Sequence, residues 1–225
     1  MALQNRPRLR YPERLLAVFA VASFVAVAAG CLVVAIDDNP AGAWLLNLAA
    51  WGAGAVMALA VSRFASPLFA RVVTFAAPIG LLASLANPGQ AGVHRWIDIG
   101  PVHANVAALL LPAFVVALAA LVRDGSWVWL AYLACAVLLT LQPDASQATA
   151  FAAAALVVVV RLPAARAIRV GIAGLVSFGA VMAWLRPDPL APVVEVEGIV
   201  GLAYALSPPI AVAAVVALGG AALAP

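Results

Sequence analysis

Three short polar stretches hold the residue types that chemistry needs, and each lies between long apolar runs. The first reads Asn87-Pro88-Gly89-Gln90-Ala91-Gly92-Val93-His94-Arg95-Trp96-Ile97-Asp98-Ile99-Gly100-Pro101. Turn residues open and close it, and a base, an acid and apolar anchors lie between. A guanidinium can grip a phosphate through two parallel hydrogen bonds, and an indole can seat the segment at headgroup depth. Arg95 and Trp96 are therefore candidate binding residues; the plainer alternative is an interfacial loop in which Arg95 pairs with Asp98 and stabilises little. The second stretch is Gln142-Pro143-Asp144, which separates two apolar runs. Asp144 falls at a helix N-terminus, where backbone N–H groups stabilise a carboxylate, so it is either a plain cap or a group held ready for a ligand. The third runs from Arg186 to Gly198 and contains Pro187, Pro189 and Pro192, which stiffen it. Glu195 and Glu197 alternate with valines there, and in an extended stretch both would point to one side. A carboxylate held against a low-dielectric surface is a candidate general base; a solvated loop is the alternative.

These stretches need a scaffold, and composition says which kind. Hydrophobic residues make up 67% of the 225 residues and charged ones 9%, with a mean hydropathy of +1.12. A soluble domain needs more charge to cover its surface, whereas hydrocarbon removes that need. All 12 basic residues are arginines scattered between apolar runs, and the net charge is +3, so no basic patch offers itself to a nucleic acid. Cys31 and Cys135 sit inside apolar runs without metal-ligand spacing, which makes them buried small hydrophobes.

The uncharged runs are Leu15–Ile36, Ala41–Ser62, Val72–Ala86, Val102–Val122, Trp127–Leu141, Ala145–Val160, Val170–Leu185 and Gly198–Ala224. A helix needs roughly 20 apolar residues to span a bilayer, and its backbone must be hydrogen-bonded internally. The expected fold is therefore all-α: a polytopic transmembrane bundle of about eight spans, forming one integral membrane domain over residues 1–225. The first run is too long for a signal-peptide core and ends in Asp37 and Asp38, so a retained helix is expected. In the last run, Ser207-Pro208-Pro209 is a helix-start signal, giving either a short re-entrant helix followed by a span or one kinked span.

Charge orients the bundle. With the N-terminus in the cytoplasm, Arg6, Arg8, Arg10, Arg14, Arg63, Arg71, Arg123, Arg161, Arg166 and Arg169 fall inside, and only Arg95 and Arg186 fall outside. That is the positive-inside pattern of short loops. The acids Asp37, Asp38, Asp98, Asp144, Asp188, Glu195 and Glu197 then gather outside.

His94-Arg95-Trp96-Ile97 followed by Gly100-Pro101 resembles the Arg-Trp-Ile…Gly-Pro signature of the SEDS family (shape, elongation, division and sporulation proteins, of the FtsW and RodA type). Gln142-Pro143-Asp144 is similar to that family's Gln-Pro-Asp turn between its fifth and sixth helices. The resemblance runs from about Arg14 to Ala224. It implies a bacterial cytoplasmic-membrane protein of cell-wall synthesis, cell shape or division that polymerises a lipid-linked disaccharide-pentapeptide into peptidoglycan. It implies Glu197 as the catalytic carboxylate, in the place of the family's Asp, with Arg95, Trp96, Gln142, Asp144 and Glu195 at the substrate. Membrane lipids surround such a protein, a penicillin-binding transpeptidase is the implied protein partner, and Mg²⁺ at Asp144 is the one cofactor to test. The family's intramembrane Glu and Lys are replaced here by Ala108 and Leu111, its Gly-Thr after the turn by Ser146-Gln147, and eight segments stand against the family's ten. The competing expectation is a non-catalytic SEDS-like protein that binds a lipid-linked precursor or a protein partner. A transporter finds no paired intramembrane charges to support it.

Overall fold

Long runs of Ala, Leu and Val with no interior charge can satisfy their backbone in hydrocarbon only as helices, and they do so here. A computed structural model describes residues 11–64, 66–100, 102–191 and 193–223, of which 76% are helical. Arg6, Arg8, Arg10, Pro101, Pro192 and Ala224 lie outside the described residues. The described elements are α1 (Tyr11–Ile36), α2 (Ala41–Phe64), α3 (Pro67–Leu85), β1 (Trp96–Ile99), β2 (Val102–Asn105), α4 (Val106–Leu121), α5 (Trp127–Leu141), α6 (Ala145–Arg161), α7 (Arg166–Trp184), α8 (Ile199–Leu206) and α9 (Pro208–Leu223).

Four of these helices are long and apolar enough to cross a membrane: Leu15–Ile36, Ala41–Val61, Pro67–Leu85 and Arg166–Trp184. Shorter apolar helices cover Val106–Leu121, Trp127–Leu141, Ala145–Arg161 and Pro208–Ala221. Large apolar side chains such as Leu46, Leu68, Leu185 and Val216 stand exposed on the outside, which suits a hydrocarbon surround rather than water.

Several boundaries differ from the apolar runs for local reasons. Ser66 caps α3 by accepting from the Phe69 N–H at 3.1 Å, and Pro67 follows in the first turn, so the helix starts before Arg71 rather than after it. The run from Val102 does not begin as helix. Asn105 accepts from the Ala108 N–H at 3.0 Å and starts α4 there, which frees Val102–Asn105 to pair antiparallel with Trp96–Ile99. Gly100, at φ +62°, supplies the left-handed residue of that hairpin turn. In the last run the chain breaks at Ser207, which is extended (φ −161°, ψ 96°), because Pro208 and Pro209 have no N–H to continue α8.

The chain forms two compact units. One contains α1 and α2 with α8 and α9. Small residues let α9 lie close on α1, as where Gly220 faces Ala22, and Val33 packs on Ala203 and Ala211. Trp51 donates to Ser23 Oγ at 3.1 Å and its ring lies 5.0 Å from that of Phe24, fastening α2 to α1.

The other unit contains α3 to α7 with the hairpin. Its core centres on Leu81, Phe114, Leu118, Tyr132, Leu139 and Phe151, all nearly inaccessible. Phe151 meets the Phe114 ring edge-on at 5.4 Å and stacks on Tyr132 at 4.5 Å, which ties α6 to α4 and α5. Gly80 brings α4 against α3: a Cβ there would come within 2.6 Å of Leu110 Cδ1.

Candidate functional site

The polar segment ahead of β1 folds on itself before it reaches the rest of the unit. Gln90 and Val93 exchange backbone hydrogen bonds of 3.0 and 2.8 Å around Ala91 and Gly92, which both have positive φ, as a tight two-residue turn demands. His94 Nδ1 donates to the Asn87 carbonyl at 2.8 Å, and Asn87 Nδ2 donates to the Trp96 carbonyl at 3.1 Å. Arg95 leaves this knot with its guanidinium aimed at the turn between α5 and α6.

Four acceptors surround that guanidinium. Arg95 Nε donates to the Gln142 carbonyl at 3.3 Å and lies 3.5 Å from Asp144 Oδ2. Its Nη2 donates to the Pro143 carbonyl and to Asp188 Oδ2, each at 2.5 Å. Arg95 and Asp144 are 13% and 4% exposed, and Asp188 is 41% exposed. The pair with Asp98 expected as the plain alternative does not form; Asp98 instead sits across the hairpin from His103, with Oδ1 2.6 Å from Nδ1.

Each acceptor is itself held. Asp144 Oδ1 accepts from the Gln147 N–H at 3.1 Å and from Ser146 Oγ at 3.0 Å, so one carboxylate oxygen caps α6 while the other faces Arg95. Asp188 Oδ1 accepts from the Leu190 N–H at 3.0 Å, which shapes the proline-rich loop after α7. Gln142 is buried at 1% exposure, and its Nε2 donates to the Leu81 carbonyl at 3.0 Å and to Ser84 Oγ at 2.6 Å. Gln142 is expected at a substrate; here its buried side chain braces α3 against the turn.

The arrangement brings Arg95, Asp144 and the Gln142 backbone together and adds Asp188. Sequence reasoning passed over Asp188, although a carboxylate between Pro187 and Pro189 was the signal available. Trp96 is half-buried on β1, with Ile97 alternating onto the core side. One guanidinium against two carboxylates leaves the cluster net negative, so it holds no spare positive charge for a diphosphate. The same guanidinium occupies the direction in which Asp144 and Asp188 would present oxygens to a divalent cation. Among the described residues no three His, Cys, Asp or Glu side chains gather as a metal site. These residues do not fit a resident Mg²⁺, and no step is routed through one.

In the unit built on α1 and α2, residues 193–198 form a tight turn rather than an extended stretch. Both the Val196 and the Glu197 N–H donate to the Val193 carbonyl, at 3.0 and 2.9 Å. Glu197 Oε2 accepts from the Val193 N–H at 2.7 Å, closing the turn from the other side. Gly198 is required by the close approach of Val194, whose carbonyl oxygen would lie 2.9 Å from a Cβ. Glu197 is exposed, and Glu195 points into a cavity of its own unit. The valine–glutamate alternation does not set the two carboxylates side by side, because local hydrogen bonding curls the segment.

Comparison with protein-family models, with curated proteins and with solved structures returns no match to this chain.

Proposed function

We propose that this chain is a SEDS-like polytopic protein of the bacterial cytoplasmic membrane, with about eight spans and a cytoplasmic N-terminus, acting in cell-wall synthesis as a peptidoglycan glycosyltransferase. One observation carries the reading: Arg95 of the Arg-Trp-Ile segment hydrogen-bonds the Gln142 and Pro143 carbonyls of the Gln-Pro-Asp turn. The two segments that resemble the family are 47 residues apart in the chain and meet through one side chain. Helices of 15 to 17 residues such as α4, α5 and α6 are about 23–26 Å long and reach across by thinning the bilayer or using their polar flanks.

In this reading the substrate is a lipid-linked disaccharide-pentapeptide. Glu197 accepts the proton of the acceptor sugar hydroxyl as that oxygen bonds to the donor's anomeric carbon. The bond from that carbon to the lipid diphosphate breaks, and the diphosphate leaves with the electron pair. The Glu197 residue is exposed, so a substrate hydroxyl can reach its side chain. The Arg95 cluster then serves as a rigid joint that fixes loop positions, and a penicillin-binding transpeptidase is the partner that would cross-link the product.

A second reading, a non-catalytic protein that binds the lipid-linked precursor or a protein partner, draws on the neutralisation of Arg95 by Asp144 and Asp188, which leaves that guanidinium unable to assist a departing diphosphate. Purified protein given lipid-linked disaccharide-pentapeptide separates the two. Glycan polymer that disappears in Glu197→Gln supports the enzyme. Saturable precursor binding without polymer supports the second reading, and absence of both overturns the proposal.

A further inference from the structure

The unit containing α1 and α2 has an open pocket of about 330 Å³ between those helices and the turn ahead of α8. Val27, Val34 and Ile199 give it apolar walls, and Asn47, Trp51 and Glu195 give it polar ones. The side chains of Asn47 and Glu195 have no hydrogen-bond or ion-pair partner among the described residues. Asn47 is an exposed amide on α2 and Glu195 is half-buried; unpaired polar groups on a largely apolar surface are costly in a low-dielectric surround, and such groups mark ligand paths.

The third polar wall is an aromatic ring held in place. Trp51 Nε1 is committed to Ser23 Oγ and the ring rests on Phe24, so its π-system, not its N–H, is what the indole can offer a ligand. Cys31 also lines the cavity, but its thiol donates to the Trp44 carbonyl at 3.3 Å. Among the described residues, the lining contains no Arg or His. Asp37 and Asp38 follow α1 directly at the end where α2 begins, and the carbonyl end of a helix also favours positive charge.

A carboxylate, an amide carbonyl and an indole face are the complement of a cation with N–H donors. An anion would be repelled, and a neutral alcohol could use little beyond the amide. The volume has room for roughly ten water-sized groups, enough for an ammonium and a short stretch of its carbon chain against the apolar wall. We infer that this cavity binds an organic ammonium group, with Glu195 as counter-ion, the Asn47 carboxamide oxygen as acceptor and Trp51 as the aromatic wall. The ammonium can belong to a lipid headgroup or to a soluble amine. This inference stands independently of the glycosyltransferase reading.

The test is calorimetric titration of the full chain in phosphatidylglycerol nanodiscs, whose headgroup carries no ammonium, with n-butylammonium chloride, with n-butanol as the neutral comparison and sodium chloride as the ionic one. Saturable binding of the amine alone, weakened about tenfold or more in Glu195→Gln, is the expected result. Asn47→Leu, expected to weaken binding severalfold, decides the matter if Glu195→Gln does not yield folded protein. Competition by phosphatidylethanolamine in the discs assigns the site to a lipid headgroup, and its absence assigns it to a soluble amine. No saturable binding, equal binding of n-butanol, or wild-type affinity in the deciding variant overturns the inference.

Discussion

Arg95 and Asp188 lie 93 residues apart in the chain and meet through Nη2 and Oδ2 at 2.5 Å. With Asp144 on its other side, Arg95 joins the loop ahead of β1, the α5–α6 turn and the segment after α7. The two carboxylates differ in burial, and that difference ranks the consequences of removing each.

Replacing Arg95 by Met leaves Asp144 buried beside no cation and three loops without a common donor. The expected loss of stability is about 3 kcal/mol or more, read as a lowered midpoint in thermal or denaturant unfolding of the detergent-solubilised protein. Unchanged unfolding would mean that the joint contributes nothing.

Asp188→Asn and Asp144→Asn should separate. Asp188 is 41% exposed against 4% for Asp144, so its pair with Arg95 is partly screened and its loss should cost about 1 kcal/mol or less. Asp144→Asn also leaves Arg95 short of a buried counter-ion and should cost clearly more in the same unfolding measurement.

Glu197 supports its turn through the Val193 N–H, and a glutamine oxygen can accept the same bond. Glu197→Gln should therefore keep the unfolding midpoint of the parent while losing polymer synthesis. Glu197→Ala should lose polymer as well and also about 1 kcal/mol of local stability, visible as faster amide exchange over residues 193–198.

Gly89→Ala places a Cβ within 2.7 Å of the Val93 carbonyl oxygen and 2.9 Å of the His94 ring. Backbone cannot give way as a flexible side chain does, so the knot that presents Arg95 should open at a cost of about 1–3 kcal/mol. Faster amide exchange over residues 87–99 is the expected readout, with the core of α4 and α5 unaffected.

Phe151→Ala empties the space between Phe114 and Tyr132. The expected destabilisation is about 3–5 kcal/mol, the usual range for losing a buried aromatic ring. Because Phe151 and Glu195 belong to different compact units, any folded fraction should still bind n-butylammonium.

The apolar runs alone located helices α1, α2, α5, α6 and α7 to within a few residues, because uncharged stretches bounded by Arg, Asp, Pro or Gly leave the backbone no better way to satisfy itself than a helix. The break at Ser207 was equally readable, since two consecutive prolines cannot continue a helix whatever packs around them. Asp144 as a helix cap followed from its position alone, and the structure gives it that bond. The hairpin was not legible: Val102 to Asn105 reads as the start of an apolar span until the Asn105 cap assigns it elsewhere. Valines alternating with Glu195 and Glu197 left an extended stretch and a solvated loop both open, and two backbone hydrogen bonds to the Val193 carbonyl curl the segment into a turn.

What the amino-acid order determined by itself was where helices form, where they stop and how apolar they are, because those depend on neighbours within a few residues. Tertiary structure alone decided that Arg95 would meet Asp188 instead of Asp98, that Gln142 would be a buried brace, and that Asn47 and Glu195 would share a cavity with Trp51. Partners in these pairs are separated by tens of residues. Which long polar side chain finds which acceptor is settled by how helices pack, and no local pattern encodes that choice.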